Sequence, residues 1–163
     1  MQLSTPESGI DEWYDMLKAA KLPASSIVAE ITEGLMINPE ALTQRRLKEI
    51  VKSGMQLALD DFGTGYSSLA YLQEMDTDYL KIDKRFVDNI QVGSQELALC
   101  EAIIVMAHQL GLKVIAEGIE TELQMQLLLE AGCDYGQGYL FSRPLNKSSF
   151  MALLADKKVA LLK

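Results

Sequence analysis

The sequence predicts an α/β fold, on two observations: short apolar strands alternate with amphipathic helices, and polar residues gather at the carboxyl ends of several strands. Strands that are apolar throughout need cover on both faces, which implies a parallel sheet wrapped by helices. A third observation separates an open sheet from a barrel. No G-x-G-x-x-G follows the first strand, which lowers the dinucleotide-binding reading. Barrel enzymes place their sites at the carboxyl ends of several different strands. The expectation is a TIM-like (β/α) barrel. A complete one needs eight strands and typically ~250 residues. This chain has 163 residues and about five clear strands, so the barrel is expected to be incomplete at its N-terminus.

Each element has its own signal. Met1-Gln2-Leu3-Ser4 reads as the stub of a strand. Asp11 to Leu22 places Trp13, Met16, Leu17 and Ala20 on one helical face, and Pro23 stops that helix. Ile27 to Ile31 reads as a strand. Pro39 to Ser53 predicts a helix with Leu47, Ile50 and Val51 inward, closed by Gly54. Met55 to Leu59 is the next strand, Ser67 to Gln73 a short helix, and Tyr79 to Ile82 another strand. Ser94 can cap a helix reaching Leu110, with Leu97, Ile104 and Ala107 in register and Gly111 as its stop. Leu112 to Ala116 reads as a strand and Thr121 to Ala131 as a helix ending at Gly132. A short strand around Tyr139 and a helix from about Asn146 complete the pattern.

Composition narrows the function classes. Hydrophobic residues make up 48% of the chain, which suits a packed core. The formal net charge is −8, which argues against a nucleic-acid polymer as partner. A small phosphorylated ligand stays open, because a bound cation can supply positive charge. With one histidine, His108, and two cysteines without paired spacing, a zinc finger or His-rich centre is excluded. Cys100 and Cys133 read as small core residues of a reduced, cytoplasmic chain, and His108 as a packing or surface residue. No apolar stretch approaches the ~20 residues of a membrane span.

Asp60-Asp61-Phe62-Gly63-Thr64-Gly65 carries the most chemistry. It follows Leu57-Ala58-Leu59, so two adjacent carboxylates stand where a strand ends. Adjacent acids repel unless a cation sits between them. Other polar strand ends are Glu30 and Glu33, Lys81 and Asp83, Glu117 and Glu120, and Gln137. The gaps are 30 residues from Glu30 to Asp60, 21 on to Lys81, 36 to Glu117 and 20 to Gln137. Each fits one strand plus one connection, so the groups can converge on one barrel mouth. Carboxylates with one amine and one amide suit a pair of hard divalent cations acting on a phosphodiester.

Five segments in order, E-I-T-E, L-A-L-D-D-F-G-T-G-Y-S-S-L, D-Y-L-K-I-D, V-I-A-E-G-I-E and G-Q-G-Y-L-F-S-R-P-L, resemble the EAL-domain family of bacterial cyclic di-GMP phosphodiesterases. The resemblance runs from about Leu3 to Leu145 and implies a single partial EAL domain over residues 1–163. It implies Glu30, Asp60 and Asp61 as metal ligands, with Asp61 near the second of two Mg²⁺ or Mn²⁺ ions. It implies Lys81 as the contact to catalytic water, Glu117 as general base or metal-site partner, and Gln137 as an amide nearby. Phe141, Arg143 and Pro144 match the segment lining the nucleotide. Glu33 matches the acid that holds the loop after Asp61, so that Gly63, Thr64, Gly65, Ser67 and Ser68 would couple ligand, metal and dimer.

Two departures stand out. The Glu-Ala-Leu signature that names the family, whose glutamate is a metal ligand on an early strand, is read as absent, lying upstream of this chain. Gln2 stands where the family usually has a metal-ligating asparagine. The resemblance therefore implies hydrolysis of cyclic di-GMP to linear pGpG in second-messenger signalling by the parent domain, with this chain weak or inactive alone. The alternative is a non-catalytic cyclic di-GMP-binding or protein-interaction module. Self-association through an exposed barrel edge is expected, and an upstream sensor or GGDEF-type domain is a possible neighbour in the parent protein, which could itself be membrane-anchored.

Overall fold

The structure, a computed structural model, describes residues 10–37, 41–63, 72 and 76–155. The chain divides into two compact units, Met1–Tyr79 and Leu80–Lys163.

In the first unit, helix α1 (Ile10–Ala19) turns Leu17 into the core; Trp13, Met16 and Ala20, expected on the same face, are exposed. The apolar spacing was read correctly as helical, but the face offered to the core is narrower than the apolar set. A 3₁₀ turn (Ala24–Ser26) leads into strand β1 (Val28–Thr32). Helix α2 (Glu33–Ile37) follows at once and was not foreseen. Helix α3 (Ala41–Ser53) buries Leu47 and Ile50 and ends at Gly54, whose φ of +81° is the left-handed stop the sequence implied.

Strand β2 (Gln56–Phe62) pairs parallel with β1, from Val28 opposite Gln56 to Thr32 opposite Asp60. Leu57, Ala58 and Leu59 are all buried, as a parallel strand covered on both faces requires. β2 runs on through Asp60 and Asp61 to Phe62 instead of stopping at Leu59. Asp78 locks the far end of β2, its backbone N–H donating to the Leu57 carbonyl and its carboxylate accepting from the Leu57 N–H, both at 2.9 Å. The expected helix over Ser67–Gln73 lies almost wholly outside the described residues; Leu72 alone is described, as helical and buried.

In the second unit, strands β3 (Tyr79–Ile82, its first residue closing the first unit), β4 (Lys113–Ala116) and β5 (Tyr135–Gly136) neighbour one another in chain order. β4 and β5 pair parallel. Helix α4 (Lys84–Val87), also unforeseen, is capped by Asp83, which accepts from the Arg85 N–H at 2.8 Å. Helix α5 (Gln95–Gln109) starts where Ser94 accepts from the Leu97 N–H and stops before Gly111 at φ +78°. Helix α6 (Glu122–Glu130) opens on a capping box between Thr121 and Gln124. Helix α7 (Lys147–Ala155) buries none of its residues. Leu80, Ile82, Cys100, Ile104, Ala107, Val114, Ala116 and Leu128 form the core between strands and helices.

The expected strand around Tyr139 is absent; the strand is Tyr135–Gly136, and Tyr139 lies in a turn. Gly138 lies so close to the Ile119 backbone that a Cβ there would have no room. The chain folds back, with Phe141 N–H donating to the Gly138 carbonyl at 3.2 Å.

Candidate functional site

The first unit supplies the acids. Glu30 is exposed on β1 and lies opposite Ala58 of β2. Alternation along β2 puts Asp60 on the same face as Ala58, so Glu30 and Asp60 share a face. Asp61 departs from alternation: its φ is +57°, rare for a residue with a side chain. Asp60 accepts from the Asp61 N–H at 3.1 Å, which helps hold that backbone. Such strain clusters at functional sites. Gly63 continues the turn at φ +89°. Glu33 begins α2 and is 6% exposed.

The donor set is hard carboxylate oxygen, which fits a divalent cation. The set is incomplete as it stands: among the described residues no three carboxylate, histidine or cysteine groups are gathered to hold an ion. Gln2, Thr64, Gly65, Ser67 and Ser68 lie outside the described residues. A Glu-Ala-Leu tripeptide does occur, at residues 40–42, and sequence reading passed over it. Helix α3 begins at Ala41, and Glu40 lies outside the described residues.

In the second unit Lys81 and Glu117 come together. Lys81 on β3 is only 3% exposed, and its Nζ lies 2.7 Å from Glu117 Oε1. Glu117 follows β4 directly, and its N–H donates to the Ile82 carbonyl at 3.1 Å. That bond places Glu117 beside the end of β3, within reach of Lys81. The Glu117 side chain is 21% exposed, so the pair is sealed on the lysine side and wet on the glutamate side. Gln137 is exposed; its N–H donates to the Ala116 carbonyl at 2.8 Å and its carbonyl accepts from Ile119 N–H at 3.0 Å.

Beyond β5, the Arg143 guanidinium stacks 4.5 Å from the Tyr139 ring. Phe141 is half-buried and Pro144 exposed. Lys84 is hydrogen-bonded to Glu120, which raises the lysine pKa and lowers that of the glutamate. His108 pairs with Asp134 at 2.8 Å on the surface, where Asp134 also accepts from the Val114 N–H. Burial pushes the Cys100 thiol up to about 12 and the Cys133 thiol up to about 11, so both are inert core residues.

Sequence reading missed Gln124. It is 7% exposed, and its side chain makes four hydrogen bonds. The signal was present as Thr121-x-x-Gln124, the spacing of a capping box.

Comparison with known proteins gives this geometry a context. A family model described as EAL domain matches residues 2–144. Cyclic di-GMP phosphodiesterase NbdA of Pseudomonas aeruginosa is 43% identical over 136 residues, covering 83% of this chain and 17% of that protein. The PaMucR phosphodiesterase in complex with c-di-GMP is 35% identical with a TM-score of 0.78, over 88% of this chain and 64% of that one. The manganese/cy-diGMP complex of Klebsiella pneumoniae BlrP1 is 34% identical with a TM-score of 0.77, over 87% of this chain and 36% of that one. The chain thus spans less than a fifth of the length of the first curated relatives it matches. These likenesses give the fold class as the TIM-like (β/α) barrel shared by the solved structures, with five parallel-type strands among the described residues.

Proposed function

This chain belongs to the EAL-domain family, and on that premise we propose that it carries the catalytic part of a metal-dependent phosphodiesterase opening cyclic di-GMP to linear pGpG. The observation that carries the reading is the Lys81–Glu117 pair at 2.7 Å, a nearly sealed ammonium held at one strand end by a carboxylate at the next. A structural ion pair gains little by being there; a site handling phosphate charge and a water proton uses both groups. The names of NbdA and PaMucR support the substrate class.

Glu30, Asp60 and Asp61 would hold the divalent ions, Mg²⁺ or Mn²⁺, with Gln2 as a further donor. Bound there, the ions would lower the pKa of water and neutralise charge on the phosphodiester. Glu117, wet on one side, accepts the proton of the attacking water. The water oxygen bonds to phosphorus, a ribose oxygen leaves and takes up a proton, and the ring opens. Lys81 orients Glu117, and its own charge would serve the phosphate oxygens. Gln137, Phe141, Arg143 and Pro144 would line the nucleotide, and Glu33 would hold the loop containing Gly63, Thr64, Gly65, Ser67 and Ser68.

We read the 163 residues as one partial EAL domain working in the cytoplasm as a homodimer, next to a sensor or GGDEF-type domain. No helix among the described residues is long and apolar enough to cross a membrane. A second reading, cyclic di-GMP binding without cleavage, is favoured by the lack, among the described residues, of three gathered groups that could hold an ion. The two are told apart by assaying pGpG release with Mg²⁺ or Mn²⁺. The chain alone is expected to show negligible turnover. Joined to an EAL segment bearing the signature glutamate, it is expected to hydrolyse, and Glu117→Gln to stop it. A joined domain that binds the nucleotide without cutting it would overturn the enzymatic reading; full activity of the chain alone would overturn its dependence on that glutamate.

A further inference from the structure

We propose that Gln124 is the positioning residue that holds Glu117 against Lys81, an inference resting on the catalytic reading of that pair. Its side-chain oxygen accepts from the Glu120 N–H at 2.8 Å and the Thr121 N–H at 2.9 Å. Its side-chain nitrogen donates to the Val87 carbonyl at 3.1 Å and the Asp88 carbonyl at 3.3 Å. Every hydrogen-bonding position of the amide is therefore used. One half grips the loop that follows Glu117. The other half grips the end of α4, the helix that follows Lys81's strand. Gln124 thus joins the two segments that carry the pair.

The loop has little other freedom. Gly118 sits at φ +74° with its Cα against the Lys84 side chain, where a Cβ would have no room. Ile119 is fully buried and bonded on both sides, its N–H to the Gln137 carbonyl and its carbonyl from the Leu140 N–H, each at 3.0 Å. Glu120 and Thr121 end on Gln124. Releasing Gln124 leaves the stretch after Glu117 to the Glu117–Ile82 and Ile119 backbone bonds and the exposed Lys84–Glu120 pair, and so loosens it against β3 and α4. It also loosens Gln137, which Ile119 holds. Small misplacements of a base are costly, because proton transfer requires hydrogen-bond reach.

The test uses Gln124→Met, which keeps length and removes all four bonds. Its control is Gln126→Met on the exposed face of the same helix, where the amide only meets Glu130. Amide hydrogen exchange of the chain is read first. At Glu117, Ile119, Glu120 and Thr121 exchange should quicken about tenfold or more, with α5 and β3 unchanged. Unchanged loop protection, or a uniform rise through α5, overturns the proposal. If the Met variant does not fold, Gln124→Glu serves, since it keeps the acceptor for Glu120 and Thr121 and turns the donor to α4 into an oxygen facing the Val87 and Asp88 carbonyls; there Glu117 and Ile119 should still exchange faster, and protection equal to wild type overturns the proposal. In the signature-bearing domain kcat should fall about tenfold while KM changes less than about twofold; an unchanged kcat overturns it. A wild-type domain that never hydrolyses cyclic di-GMP sinks the catalytic reading instead, and the exchange result still decides the role of Gln124.

Discussion

Lys81 and Glu117 are not equivalent halves of their ion pair. Lys81 is sealed from water, whereas the Glu117 side chain keeps 21% of its exposure. Removing the lysine charge leaves a carboxylate that can still hydrate. Removing the glutamate charge takes a carboxylate from a cation that water cannot reach, and breaking a buried pair on one side is the costly direction. Lys81→Met should therefore change stability by less than about 1 kcal/mol, and Glu117→Gln should cost about 2 kcal/mol. Urea unfolding of both variants checks the order; equal losses, or a greater loss for Lys81→Met, would refute it. Lys81 was legible because an amine at the end of an apolar strand has no structural reason to be there. Gln124 was not, because a glutamine on an amphipathic helix reads as solvent-facing until its capping partner Thr121 is noticed. Asp61 was legible as an acid but not as a left-handed residue, since nothing in Asp-Asp-Phe-Gly says which residue turns.

Elements with both a start and a stop signal came out within a residue or two of their expected bounds. Helix α5 had Ser94 and Gly111, and α3 had Gly54. Most strands also came out near their expected bounds, but two short helices and the last strand were missed or misplaced. Helices α2 and α4 have 5 and 4 residues, too short for a period of 3.6 to show. The expected strand at Tyr139 failed because a tertiary contact overrode local propensity. Gly138 makes that contact, and its requirement differs from that of the helix-stop glycines. A Cβ on Gly138 would fall within the Ile119 backbone, which cannot yield without shifting the loop after Glu117. A Cβ on Gly111 meets nothing within 4 Å and is opposed only by φ +78°. Gly138→Ala should cost about 3 kcal/mol and Gly111→Ala about 1 kcal/mol. Comparing their urea midpoints decides whether close approach at Gly138 shapes the turn; the reverse order would mean that the loop gives way easily.

At the scale of the whole molecule, strand–helix alternation made the α/β class readable, and polar strand ends made the barrel readable. The division at Tyr79 and Leu80 was not, because no linker or shift in composition marks it. Each unit also exposes apolar surface that the pattern could not reveal. In the first, Trp13, Met16, Leu22 and Val28 are exposed, and β1 ends the strand order among the described residues. In the second, Leu145, Phe150, Met151 and Leu154 are exposed on and before α7, which buries nothing. Open strand edges and clustered apolar side chains favour pairing with another copy. A net charge of −8 opposes that pairing, and salt screens the repulsion to within about 10 Å at 0.1 M. The chain should therefore self-associate with rising concentration, and more strongly at 0.5 M salt than at about 0.05 M. An association built on ion pairs would show the opposite salt dependence. Light scattering across both series separates these outcomes, and a monodisperse monomer at high concentration and high salt would show that the exposed faces are stable in water as they stand.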